Sequence, residues 1–149
     1  MSKLTEYAKK RGSTTEVPAV EGHKAAGRSR LYVLQLHDAN KAGLHHDFRY
    51  HDGTILKSWC LPKLWPEHRA VARLAIQTEV HPLAWAAFEG TIKEGYGAGT
   101  VKIESRGTLA LVVNRKDLKV FRLWDPALGG LWELRHLEGN KWLLKSKGE

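Results

Sequence analysis

At 149 residues the chain has the size of one domain with a single core. A hydrophobic fraction of 42% and a mean hydropathy of −0.41 exclude a chain too polar to fold, and no apolar run approaches the roughly 20 residues of a membrane helix. Twenty-four Lys and Arg against sixteen Asp and Glu leave a net charge of +8. That is the electrostatic footprint of a nucleic-acid binder, although charge can also serve solubility alone.

The first segment, MSKLTEYAKKRGSTTE, has no apolar run of the secretory kind, and its glutamates argue against an organellar transit peptide. A single cysteine, Cys60, allows no internal disulfide. A cytoplasmic, monomeric protein with no membrane association is therefore expected. Leu4–Arg11 reads as a short helix, and GSTTEVPAVEGHKAAGRSR as an arm without periodicity. Residues 1–30 are thus expected as a helix and basic arm of the same domain, with the barrel or sandwich body over 31–149.

From Leu31 the pattern is that of strands. Leu31–His37 and Leu44–Tyr50 alternate with a period of two, and Asp52-Gly53 reads as a two-residue hairpin turn into Thr54–Cys60. Arg73–Glu79 follows, then one or two helical turns over Leu83–Phe88. Beyond a glycine cluster come Val101–Glu104, Thr108–Val113, Leu118–Trp124, Gly130–His136 and Lys141–Lys145. About nine short strands predict a mainly β chain, an antiparallel barrel or sandwich. Trp132 and Trp142 sit in alternating strands as core residues. Trp59 and Trp65 flank a turn where an aromatic can stack on a base, but core packing is the commoner use.

The chemistry is concentrated in QLHDANKAGLHHDFR, Gln35–Arg49. If its two halves pair as a hairpin, alternation puts Gln35, His37, His45, Asp47 and Arg49 on one surface and His46 on the other. Two imidazoles and a carboxylate suit a borderline divalent ion such as Mn²⁺ or Zn²⁺ with positions left open for substrate. Arg49 can fork onto two phosphate oxygens beside it. The plainer reading makes these surface residues, with Asp47 merely paired to Arg49. Asp38 and His51 are lesser candidates. GYGAG at 95–99 lacks the pattern of a phosphate-binding loop and is read as a tight turn or close approach. Cys60 is read as a small buried hydrophobe.

LHHDFRYHDGTILKSWCLPK resembles the LHYDFRLExDGVLKSWAVPK signature of the 3′-phosphoesterase domain of bacterial DNA ligase D and its stand-alone relatives. The similarity continues through RLAIQTEVHPLAW, FEGTI, YGAGTVKIESRGT and LWELRHLEGNKWLLKSK, and LTEYAKKRGSTTEVP resembles the family's YxxKRDFxxTxEP lead. It implies a compact antiparallel β-barrel of about eight or nine strands, with the site in a surface crevice. It also implies a manganese-dependent enzyme that removes a terminal 3′ ribonucleoside from DNA and then hydrolyses the 3′-phosphate to a 3′-OH. Primer–template or duplex 3′ ends would be its substrates, with a DNA ligase and polymerase as separate partners. On that resemblance the metal ligands fall on His37, His45 and Asp47. The anion-binding and catalytic side chains fall on Arg49, His81, Lys63 and Arg73, and further polar or aromatic contacts on Gln35, Arg11, Glu16, Glu79 and Trp85.

The chain departs from the family pattern at several places. The loop Asp38–Gly43 is about two residues longer, EDHP has become EVHP with Val80, and Trp85 replaces a tyrosine. Gly12 stands where an acidic residue follows the Lys-Arg pair, and FEGTIPxGNYG is shortened to FEGTIKEGYG. A contrasting expectation is a basic barrel that binds nucleic-acid ends without chemistry and holds a structural metal.

Overall fold

The computed structural model describes residues 29–148. The helix expected over Leu4–Arg11, together with Arg11, Gly12 and Glu16, lies outside them. The described residues form nine strands: β1 Ser29–Ala39, β2 Gly43–His51, β3 Leu56–Leu61, β4 Arg73–His81, β5 Gly90–Ile92, β6 Gly99–Arg115, β7 Leu118–Leu123, β8 Gly130–Glu138 and β9 Lys141–Gly148. All pairings are antiparallel, in the order β1-β2-β3-β4-β9-β8-β7-β6, and β6 returns to β1 to close an eight-stranded barrel. Closure leaves no long unpaired edge. Among the described residues, no helix is long and apolar enough to cross a membrane.

Alternation supplies the core. One side chain in two from β1, β2 and β3 points inward (Tyr32, Leu34, Phe48, Tyr50, Trp59 and Leu61), and these meet Phe121, Trp132, Leu134, Trp142 and Leu144. Phe48 stacks on Phe121 at 5.3 Å between ring centroids, and Trp59 meets Trp142 edge-on at 5.6 Å. All four tryptophans at 59, 65, 132 and 142 are core residues. A second, smaller apolar cluster lies outside the barrel wall, where Leu31, Val33 and Leu56 pack against Trp85 and Ala86. It seals a 3₁₀ helix, Leu83–Ala87, and the short β5 onto the outer face of β1. That covering segment explains why β2 is buried on both faces.

Three elements differ from the sequence reading. Asp52-Gly53 is not a two-residue turn. Asp52 captures the amides of Thr54 and Ile55 through one carboxylate oxygen, at 2.9 and 3.0 Å, which delays β3 to Leu56. Val101–Glu104 and Thr108–Val113 are one strand, because β6 pairs with β1 without a break in the strand from Gly99 to Ala110. The turn-like Ser-Arg-Gly is carried through by that pairing, with a bulge at Glu104. Gly90–Ile92, too short to show alternation, is an additional strand. The lengthened hairpin connection is mostly absorbed into the ladder, as Asp38 pairs with Leu44 and Ala39 with Gly43.

Candidate metal and anion site

The hairpin register places His37 opposite His45, Gln35 opposite Asp47 and Val33 opposite Arg49. The expected shared face therefore exists, on the outer wall of the barrel. His37 Nδ1 lies 3.4 Å and His45 Nε2 3.3 Å from the same Asp47 oxygen, Oδ2. The other nitrogen of each ring is taken by a backbone carbonyl: His37 Nε2 donates to Gly97 O at 2.7 Å, and His45 Nδ1 to Gly43 O at 3.0 Å. A carbonyl only accepts, so in each neutral ring the nitrogen facing Asp47 carries a lone pair. Two lone pairs converging on a carboxylate oxygen require a cation between them, either protons or a metal. Ligand atoms about 2.1 Å from one ion at tetrahedral angles lie about 3.4 Å apart, which the two His–Asp separations of 3.4 and 3.3 Å match. Among the described residues these three form the one such cluster, with their ligand atoms within 4.8 Å of one another. Three ligands rather than four leave room for an exogenous one.

Without an ion, the same geometry sets the charges. Burial pushes the Asp47 carboxyl up, but hydrogen bonds from His37 and His45 and the charge of Arg49 outweigh it and hold Asp47 well below the usual carboxylate range. The bond to Asp47 raises His45 above its ordinary value, against the effect of burial.

Arg49 is 6% exposed and held in a fixed orientation by its neighbours. Its Nε donates to Gln35 Oε1 at 2.7 Å, and one terminal nitrogen to Ser58 Oγ at 2.7 Å and His81 Nδ1 at 3.2 Å. Its other terminal nitrogen stands 3.3 Å from Asp47 Oδ2. Gln35, Ser58 and His81 take three of the five N–H groups of the guanidinium, and the two on the nitrogen paired with Asp47 stay for that carboxylate and an incoming anion. Burial lowers its affinity for its proton and Asp47 opposes that. Because Arg49 can only donate, His81 Nδ1 accepts, and the neutral His81 ring carries its proton on Nε2.

His81 reaches this face through a bulge. Leu56 pairs with His81 and Ser58 with Thr78, so β4 has one residue more than β3 between those pairs. Uninterrupted alternation from Thr78 would have sent Val80 to the cleft and His81 to the other side.

The cleft has a volume of about 880 Å³ and is lined by His37, His45, Asp47, Arg49 and His81, with Cys60, Glu79, Trp85, Phe88 and Tyr96 among the others, whereas Gln35 and Ser58 hold Arg49 but do not line it. Trp85 is 8% exposed, with its ring stacked on Phe88 at 4.5 Å and on His81 at 5.7 Å. Lys63 and Arg73 do not line it. Lys63 is exposed in the turn after β3, and Arg73 shares the phase of inward-facing Ala75, its Nε donating to Leu64 O at 3.0 Å. Asp38 and His51 lie outside it too. His46 faces away: Trp65 N donates to its Nδ1 at 2.8 Å, leaving Nε2 to donate to Glu104 at 2.6 Å. Sequence reasoning missed Ser58 and the carbonyls of Gly43 and Gly97. Ser58 was legible in principle, since alternation about inward Trp59 turns Ser58 and Cys60 outward.

A family described as "DNA Ligase D 3'-phosphoesterase domain" matches residues 35–135, which include every residue of this cluster. The chain belongs to that family. Among its relatives are the "Multifunctional non-homologous end joining protein LigD" of Mycobacterium bovis, 35% identical over 147 residues, and that of Pseudomonas aeruginosa, 43% identical over 141 residues. The alignments cover 95% and 88% of this chain but only 19% and 16% of those proteins. The chain thus spans less than a fifth of the length of the family members it matches. The pairing of β6 with β1 decides for a barrel, which the strand count alone had left open against a sandwich.

Proposed function

We propose that the chain is a metal-dependent 3′-phosphoesterase acting on DNA ends, removing a terminal 3′ ribonucleoside and then the 3′-phosphate to leave a 3′-OH. The observation that carries this reading is the convergence of His37 Nδ1 and His45 Nε2 on one oxygen of Asp47, each ring locked in its tautomer by a carbonyl. His37, His45 and Asp47 would hold the ion, Mn²⁺ or a related divalent metal. When bound there it would offset charge on a phosphoryl oxygen and make a water more acidic.

The chain's own side chains supply the rest. Arg49 is pre-oriented by Gln35 and Ser58, so its remaining N–H needs no reorganisation to meet a phosphate oxygen. His81 Nε2–H suits donation of a hydrogen bond to the same group. Glu79 stands on the cleft wall and Trp85 forms its floor through packing. Lys63 and Arg73 act from outside the cleft as described: Arg73 braces the turn at Leu64, and Lys63 adds to the positive field that draws in a polyanion. The net charge of +8 supports a nucleic-acid substrate. A ligase and a polymerase would use the healed end.

The test is digestion of a 5′-labelled primer–template ending in a 3′ ribonucleotide, across divalent metals and with chelator. The expected result is metal-dependent passage through a 3′-phosphate to a 3′-OH. Full activity in chelator, or end binding with no product under any metal, would favour the non-catalytic binding barrel.

A further inference from the structure

Tyr96 is the most exposed large hydrophobic side chain among the described residues, at 77%. It lines the same cleft as His37, His45, Asp47 and Arg49. An exposed aromatic on a loose loop would be unremarkable, but this one stands on a pinned turn. Ala98 N donates to Gly95 O at 3.1 Å, closing a four-residue turn with Tyr96 at its second position. Gly97 O accepts from the metal-site ring of His37 at 2.7 Å, and Ala98 O accepts from Asn40 N at 2.8 Å. The turn is therefore tied on one side to the metal cluster and on the other to the β1–β2 connection. Gly95, at φ +100°, supplies a backbone conformation that a side chain would strain.

The other aromatics of the cleft are spent on packing. Trp85 and Phe88 lie face to face at 4.5 Å and 7°, and His81 covers Trp85 at 5.7 Å. A phosphate fills only a small part of some 880 Å³, so the remaining space adjoins the nucleotide that carries it. An exposed ring carried by a pinned backbone turn beside an anion site is an arrangement suited to hold a base by stacking, without regard to its identity.

We propose that Tyr96 is the positioning residue that stacks on the base of the terminal nucleotide and so sets its phosphate against Arg49 and the His37–His45–Asp47 cluster. The assignment rests on the reading of the cleft as a DNA 3′-end site. It requires no contact from Tyr96 to the reacting atoms.

The experiment uses the full chain and a duplex whose recessed strand ends in 2-aminopurine with a 3′-phosphate, in chelator so that the end stays intact. Stacking quenches this base, so the wild type is expected to quench it on binding, Tyr96→Phe to do the same, and Tyr96→Ala to lose the quench. With metal, Tyr96→Ala should raise KM about ten-fold or more, within the range of base–aromatic stacking, with little change in kcat. The defect should vanish on a substrate whose terminal nucleotide is abasic, and Mn²⁺ affinity should match the wild type. Equal quenching by the wild type and Tyr96→Ala, or a defect that persists on the abasic end, would overturn the proposal. If no metal gives phosphate release yet quenching still depends on Tyr96, the catalytic reading falls and the stacking site stands.

Discussion

Gln35 joins Arg49 to the segment that covers the site. Its Oε1 accepts from Arg49 Nε at 2.7 Å, while its amide nitrogen donates to the carbonyls of Trp85 and Phe88 at 3.0 and 3.1 Å. One fully buried amide thus orients the Arg49 guanidinium and anchors the 3₁₀ helix beside it. Gln35→Ala would strand a charged donor and two carbonyls, and is expected to cost about 2–3 kcal/mol of stability. Gln35→Glu could still accept from Arg49 but would set a carboxylate oxygen against two carbonyls. Denaturant titration should show the alanine variant destabilised, and the glutamate variant should not recover the wild-type midpoint.

Adjacent residues of β2, His45 and His46, are expected to differ in what their loss does. His45→Ala and Asp47→Ala are each expected to abolish Mn²⁺ binding and phosphate release, while Arg49→Lys retains the metal and loses turnover, because an ammonium cannot keep the bonds to Gln35, Ser58 and His81 that orient the guanidinium. His46→Ala should keep wild-type metal affinity but lose roughly 1–3 kcal/mol, since it leaves the buried Trp65 amide without its acceptor. Calorimetric metal titration and thermal unfolding of the same variants distinguish the two effects. Equal metal affinities for the wild type and His45→Ala would refute the ligand assignment.

Metal addition is expected to raise the unfolding temperature of the wild type, because an ion that binds only the folded cluster stabilises it in proportion to the logarithm of its concentration over Kd. Asp47→Ala should show no such rise.

Cys60 sits opposite Asp47 in the β2–β3 ladder, and burial, with the charge of Asp47, pushes its thiol up to about 11. At pH 8 its thiolate fraction should then be about 100-fold below that of an ordinary thiol, and alkylation correspondingly slow. Asp47→Asn removes one of the two causes and should speed alkylation. A wild-type rate equal to that of an unfolded control would contradict the assignment.

Away from the cleft, Asp125 accepts from Ser105 Oγ at 2.6 Å and from the amides of Ala127 and Leu128 at 2.6 and 2.7 Å. Burial raises its proton affinity, yet these bonds prevail and the carboxyl lies below its ordinary value. A depressed folded value means that the stabilisation is complete above the unfolded value and disappears as pH falls through the folded one. Wild type should therefore lose stability below about pH 4 by a component absent from Asp125→Asn. Parallel pH profiles for the two proteins would show that Asp125 contributes nothing to acid sensitivity.

Much of the site was legible from Gln35–Arg49 alone. A two-residue period is a property of the strand backbone, so Gln35, His37, His45, Asp47 and Arg49 had to share a face once the hairpin formed, and His46 had to leave it. The strand count and the composition likewise follow from local pattern, and they restrict the fold to closed or layered antiparallel sheets. Tertiary structure decided what local pattern does not encode. The return of β6 to β1 made a barrel rather than a sandwich, and carried two expected strands through the Ser-Arg-Gly that separated them. The bulge in β4 shifted the side-chain phase by one, which turned His81 onto Arg49, whereas Arg73, ahead of the bulge, kept the inward phase. Gly97 lies sixty residues from His37, and only the packing of its loop against the hairpin brings its carbonyl to the ring. The local backbone determined which side chains face the cleft from the hairpin. Long-range pairing decided which others join them, because a one-residue change in register reverses every face beyond it.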